Sequence, residues 1–190
     1  MSAYFSDLVA QFTNPVTAIA QIFGFSCVIL SYFIFRNISR KASLIIKVIS
    51  DALWATHFFL LQQWTGGVLN CLNIFRGICF YQRGEKKWAS GVWMPILFCT
   101  ASVIGSVLGW TGPESLLPMA GSCLIIMGFW TTETGRLRRL NFFGLVFWMI
   151  YSVLILSVPA IVGNGLSMIS IILTELRVNR QQRTKENTEC

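Results

Sequence analysis

Three ionisable side chains, Asp51, His57 and Arg76, lie inside long apolar stretches of this chain. A charge held away from water is costly, so each needs a partner or a task. If the stretches holding them are antiparallel helices, Asp51 and Arg76 fall at similar depths and can pair across the contact. Lys47, four residues before Asp51, is the competing partner on the same helix face. A structural ion pair fixing two helices and a coupling or gating role are the two readings of Lys47, Asp51 and Arg76. His57 follows Asp51 by six residues, which on a helix leaves the two about 120° apart and argues against an Asp–His dyad. Ser50, Trp54 and His57 share a stripe instead, at i, i+4 and i+7.

Asn70 and Asn73, at i and i+3, share one face of the next stretch, and Asn70 falls near the depth of His57. A weak internal repeat gives these residues counterparts. Aligning Gly24 with Gly121 (121 − 24 = 97) places Lys41 on Arg138, Trp54 on Tyr151, Gly66 on Gly163, Leu69 on Leu166, Ile74 on Ile171 and Arg83 on Arg180. The same offset pairs Asn70 with Ser167 and Asn73 with Ser170. Amides and hydroxyls supply directional hydrogen bonds and aromatic rings supply walls, as a pseudo-symmetric cavity requires. Trp54, His57, Asn70, Asn73, Tyr151, Ser167 and Ser170 are therefore the candidate substrate-binding residues. The competing reading is that these small polar groups only hold helices together.

Catalytic chemistry finds no support. No Ser or Cys nucleophile stands at helical spacing from a base, and neither a zinc-protease helix motif nor a phosphate loop occurs. The six cysteines, Cys27, Cys71, Cys79, Cys99, Cys123 and Cys190, lack ligand spacing, and all but Cys190 lie in apolar runs. No catalytic residue, metal or cofactor is expected.

The elements that position these residues follow from composition. Of 190 residues, 54% are hydrophobic and 12% charged, whereas a soluble domain is about a quarter charged. Seven apolar runs, 16–35, 42–61, 66–81, 90–108, 116–131, 140–158 and 162–176, are candidate membrane helices. Tyr4, Phe5, Leu8, Val9 and Phe12 suggest a short interfacial helix before them. No cleaved signal peptide is expected. The net charge of +7 does not point to nucleic acid, because its carriers sit in short segments between apolar runs rather than on one patch. With seven crossings and the N-terminus outside, fourteen of the 15 Lys and Arg residues fall on the inner side, and Arg76 lies in the inner half of the third helix.

The predicted fold is an all-α membrane bundle of seven helices in one domain spanning residues 1–190. Residues 16–83 and 116–176 form two triple-helix repeats running in the same direction, with a linker helix over 90–108 and a cytoplasmic tail over 177–190. Gly66, Gly67, Gly163 and Gly165 open the third and seventh helices, where close packing is their expected role and flexible hinges the alternative.

The stretch Trp54-Ala55-Thr56-His57-Phe58-Phe59-Leu60-Leu61, followed by Trp64-Thr65-Gly66-Gly67, Asn70, Asn73 and Arg76, resembles the YgjV family of bacterial inner-membrane proteins. The resemblance runs from Gln21 to about Arg180 and implies a bacterial inner membrane location. It also implies distant kinship with the SWEET, PQ-loop and nicotinamide-mononucleoside transporters, whose plan is three helices, one linker and three helices. No proline–glutamine pair occurs in either triplet, and the hinge prolines of the sugar transporters have no match in the first two helices. Only the placement of polar residues, Asn73 and Ser170 especially, carries over as a substrate site. The expected function is transport of a small polar solute between the triplets, with a non-transporting scaffold or sensor as the alternative. The expected partners are the lipid bilayer and that solute, with homo-oligomerisation left open.

Overall fold

The computed structural model of the protein describes residues 14–34, 40–83, 86–131 and 133–189. These form seven α-helices: α1 Pro15–Ile34, α2 Arg40–Leu60, α3 Trp64–Tyr81, α4 Trp93–Leu108, α5 Leu116–Trp130, α6 Thr134–Leu154 and α7 Val158–Glu189. Single turns of 3-10 helix sit at Lys87–Ser90 and Pro113–Ser115, and no strand occurs among the described residues. The interfacial helix expected over Tyr4–Phe12, and Arg36 and Cys190, lie outside the described residues.

The helix ends follow local rules. Asn14 Oδ1 accepts the Val16 N–H at 3.0 Å and its carbonyl accepts that of Ala18 at 2.9 Å, while Pro15 occupies the first helical position, where its missing N–H costs nothing. α2 and α6 end in the same way. Gln62 and Leu156 take left-handed φ values of 60° and 57°. The following N–H groups, of Gln63 and Ser157, reach back to Phe58 O and Ser152 O at 2.8 and 2.9 Å. Gln62 and Leu156 themselves donate to Phe59 O and Val153 O, which completes a Schellman cap at both sites. Neither cap carries the glycine that normally marks one.

Close contacts give the helix directions. α2 and α3 are antiparallel: a Cβ on Gly77 would lie 3.1 Å from Val48, and one on Gly66 2.9 Å from Phe58. α5 and α6 cross backbone to backbone, since a Cβ on Gly121 or on Gly144 would come within 2.8 Å of the other glycine's carbonyl. α1 and α7 run parallel, with Gly24 against Pro159 and, one turn on, Val28 against Gly163. α3 and α5 also run parallel: Thr65 bonds Ser115 at one end, and Phe80 packs on Trp130 at the other. All the connections at one end, 61–63, 109–115 and 155–157, lack Lys and Arg. Those at the opposite end carry Arg83, Lys86 and Lys87, and Arg136, Arg138 and Arg139 follow in the first turns of α6.

The distribution of side chains is inverted relative to a protein in water. Among the described residues, the buried ones include more polar than hydrophobic side chains, with Ser50, Asp51, His57, Thr65, Asn70, Arg76, Ser102, Ser106 and Ser152 in their number. The outside displays Ile22, Phe75, Ile96, Val107, Leu108 and Phe143, each more than half exposed. Lipid as the solvent accounts for that arrangement and water does not. Gly135–Leu154 and Val158–Val178 are long and apolar enough to cross a bilayer, and Pro15–Leu30 and Trp93–Leu108 are shorter apolar helices. The others are short or carry charge: α5 has 15 residues, α2 holds Lys47 and Asp51, and α3 holds Arg76.

Four boundaries differ clearly from the sequence expectation. The linker helix begins at Trp93 rather than residue 90, after the separate turn at Lys87–Ser90. α6 begins at Thr134, not 140, so the Arg136–Arg139 segment is helical; Glu133 pairs with Arg136 at 2.8 Å and with Arg139 at 3.9 Å, at the helix start where a carboxylate is favoured. α6 also stops at Leu154 because of the cap at Leu156. The predicted tail over 177–190 is mostly a continuation of α7 to Glu189, a stretch without Gly or Pro to break it.

Candidate functional site

Of the candidate residues, Trp54, His57 and Tyr151 meet near the cation-free end, whereas Asn70, Asn73, Ser167 and Ser170 are not part of that contact. Phe58, Leu69, Trp148, Tyr151 and Ala160 form a buried cluster, with Trp54 packed against it. Trp54 stacks on Phe58 with centroids 5.8 Å apart, Phe58 lies 5.8 Å from Trp148 and 6.1 Å from Tyr151, and Trp148 meets Tyr151 edge to face at 5.9 Å. Gly163 admits the Trp54 ring: a Cβ built there would touch Trp54 Cζ2 at 3.4 Å. The glycine acts through close packing, as its position at a helix contact suggests.

His57 is completely buried, and both ring nitrogens are engaged. Nδ1 lies 2.7 Å from the Ala20 carbonyl and Nε2 lies 2.7 Å from Ser157 Oγ. A carbonyl only accepts, so Nδ1 bears the proton, and the neutral ring accepts the Ser157 hydroxyl at Nε2. His57 therefore braces α2 to α1 and to the α6–α7 turn. Gly24 is what makes room, since a Cβ there would lie 2.6 Å from Pro159 and 3.0 Å from His57 Nδ1. Ser157 carried no sequence signal, because only the fold brings a residue one hundred positions away to the ring.

The same end is tied by further bonds. Tyr151 donates to Gln63 Oε1 at 3.3 Å, and Asn164 donates to Ser152 Oγ at 3.1 Å. Thr65 donates to the Gly109 carbonyl and bonds Ser115 Oγ at 2.9 Å. These contacts join α3, the α4–α5 connection, α6 and α7 around the brace.

Among the remaining candidates, Asn70 donates to the Gly66 carbonyl at 2.8 Å and Ser167 donates to that of Gly163 at 2.8 Å. Each is thus occupied within its own helix. Asn73 and Ser170 are half-buried, and their side chains make no hydrogen bond among the described residues. The two Schellman turns offer a second alignment of α2–α3 with α6–α7. Their bonds superpose at 156 − 62 = 94, three residues short of the offset that sequence identities suggest. Trp54 then answers to Trp148 rather than Tyr151, His57 to Tyr151, Asn70 to Asn164 and Asn73 to Ser167.

Toward the cationic end, Asp51 Oδ1 pairs with Lys47 one turn away. The expected Asp51–Arg76 pair does not form within 4 Å among the described residues. Arg76 instead places its guanidinium 5.4 Å from the Phe129 ring centroid. Lys47 wins because it shares a helix face with Asp51 at i, i+4. Nearer the surface, Arg83 donates to the Trp130 carbonyl at 2.9 Å and lies 4.0 Å over its ring, and Arg138 pairs with Glu175 of α7.

A family model described as "Bacterial inner membrane protein", Imp-YgjV, matches residues 18–182. No curated protein and no solved structure matches the chain. The match covers most of the sequence, and the chain belongs to this family of bacterial inner membrane proteins.

Proposed function

We propose that this inner membrane protein is a non-catalytic carrier of a small polar solute, built from two parallel triple-helix units joined by α4, and drawn here in a form closed at its cation-free end. The observation that carries the reading is the pair of helical hairpins, α2–α3 and α6–α7. Their turns share one hydrogen-bond pattern, and they meet through Trp54, Phe58, Trp148 and Tyr151. Repeats related by an axis along the membrane normal are one of the known carrier plans, with the solute held at the repeat interface. In this reading the His57–Ser157 bond is the latch between the units. Asn73 and Ser170, whose polar groups are uncommitted, are the contacts offered to the solute.

The same reading has seven crossings, the N-terminus outside and the C-terminus in the cytoplasm. The concentration of Lys and Arg at one end of the bundle supports that orientation. Short helices such as α5, about 22 Å long against a hydrocarbon core of about 30 Å, are accommodated by local thinning of the bilayer.

The test is uptake of sugars, nucleosides, vitamins and amino acids into liposomes containing the purified protein. Saturable flux of one solute, lost in Asn73→Ala at unchanged melting temperature, is the expected result; no flux for any solute contradicts the proposal. The second reading, a scaffold or sensor, is favoured by Asn70 and Ser167 bonding their own helices. It predicts that no small solute raises the melting temperature by mass action.

A further inference from the structure

The contact between α2 and α3 holds one buried carboxylate and two cations. Lys47 and Asp51 close an ion pair, with Asp51 almost fully buried and Lys47 about one-third exposed. Arg76 is only 5% exposed, has no carboxylate within 4 Å among the described residues, and leaves Nη1 buried without a hydrogen-bond partner. Asp51 Oδ2 is likewise buried and unpartnered. Arginine does not give up its proton in a protein, so neutralisation by deprotonation is closed to it. The Phe129 ring face offsets only part of the cost of dehydrating a guanidinium. Lys47 can reach toward the headgroups along its flexible stem, but Arg76 cannot. The contact therefore holds one positive charge in excess, and Arg76, which Asp51 attracts only from beyond 4 Å, is the cation left without a direct partner.

The unpartnered donor and acceptor occupy neighbouring levels. The approaches of Val48 to Gly77 and Phe58 to Gly66 set Asp51 level with Ile74. Arg76 is two residues further along α3, about 3 Å in depth. One small solute can meet both groups if it carries an anionic end for the guanidinium and an N–H or O–H for the carboxylate oxygen.

We propose that Arg76 and Asp51 Oδ2 form a buried binding site for a small carboxylate bearing a hydrogen-bond donor, that is, a hydroxy or amino acid, at the α2–α3 contact beside Phe129 of α5. Arg76 binds the carboxylate by charge-assisted hydrogen bonds and Asp51 accepts from the hydroxyl or amine. The proposal does not rest on Asn73 or Ser170, and binding here stands whether or not the solute is carried across the membrane.

The test is thermal unfolding of the purified protein in an uncharged detergent at constant ionic strength. Glycolate is titrated against glycolamide, which has the same shape without the charge. Glycolate raises the melting temperature saturably; at ten times its Kd it shifts the folding equilibrium about elevenfold. Glycolamide does not. Arg76→Gln abolishes the response and Arg76→Lys weakens it. Should Arg76→Gln fail to fold, the glycolate–glycolamide comparison on the wild-type protein and the Arg76→Lys titration decide alone. Equal responses to the two probes, or an unchanged glycolate response in Arg76→Gln, overturns the proposal. So does stabilisation by inorganic phosphate or phosphatidylglycerol without stabilisation by glycolate.

Discussion

The two ends of this bundle treat buried polar groups differently. At the cation-free end His57, Tyr151, Thr65 and Asn164 all find partners on other elements of the fold. Toward the cationic end, Asp51 Oδ2 and Arg76 Nη1 find none. In an interior of low dielectric an unpaired polar atom costs far more than a satisfied one gains. Ser122 Oγ is also buried without a partner, so the contrast between the ends concerns charge; on the proposal made above, one end holds and the other binds.

The comparison can be broken by substitution, followed by unfolding in mild detergent. The largest effect is expected for Asp51→Asn. It removes the one carboxylate from between Lys47 and Arg76 and costs about 3–5 kcal/mol, the range for breaking a buried pair. His57→Ala comes next, at roughly 2–3 kcal/mol, because it orphans the Ala20 carbonyl and the Ser157 hydroxyl together. A double-mutant cycle with Ser157→Ala should return a coupling of about 0.5–3 kcal/mol; additivity would remove the brace from the account. Asn70→Ala, which loses one bond within its own helix, costs about 1 kcal/mol. The smallest changes are expected at the caps. Gln62→Gly and Leu156→Gly relieve a left-handed residue and should leave stability equal or up to about 1 kcal/mol higher.

Those caps also explain what the sequence could and could not tell. The apolar runs marked seven helices and the basic residues sorted to one end, since both are statements about composition along the chain. The end of α6 was missed because Leu156 stands where a glycine would announce a Schellman turn, whereas the end of α2 was read to within one residue. The offset of 97 that sequence identities suggest and the offset of 94 between the two turns differ by three residues. The brace was half legible: a lone buried histidine invites a partner, yet Ser157 lies in an unremarkable turn. The Asp51–Arg76 pairing failed for a simpler reason, that depth alone does not decide a contact when Lys47 shares a face with the carboxylate.

The closed and open ends are most directly tested by labelling with a membrane-impermeant maleimide. Single cysteines are introduced by Ser157→Cys and Asn73→Cys after the six native cysteines have been replaced. Both right-side-out and inverted vesicles are used. The account predicts that the Ser157 position is protected from either side and that the Asn73 position reacts only from the side bearing Arg83 and Arg139. Rapid labelling at Ser157 from the opposite side, with Asn73 inert from both, would contradict it.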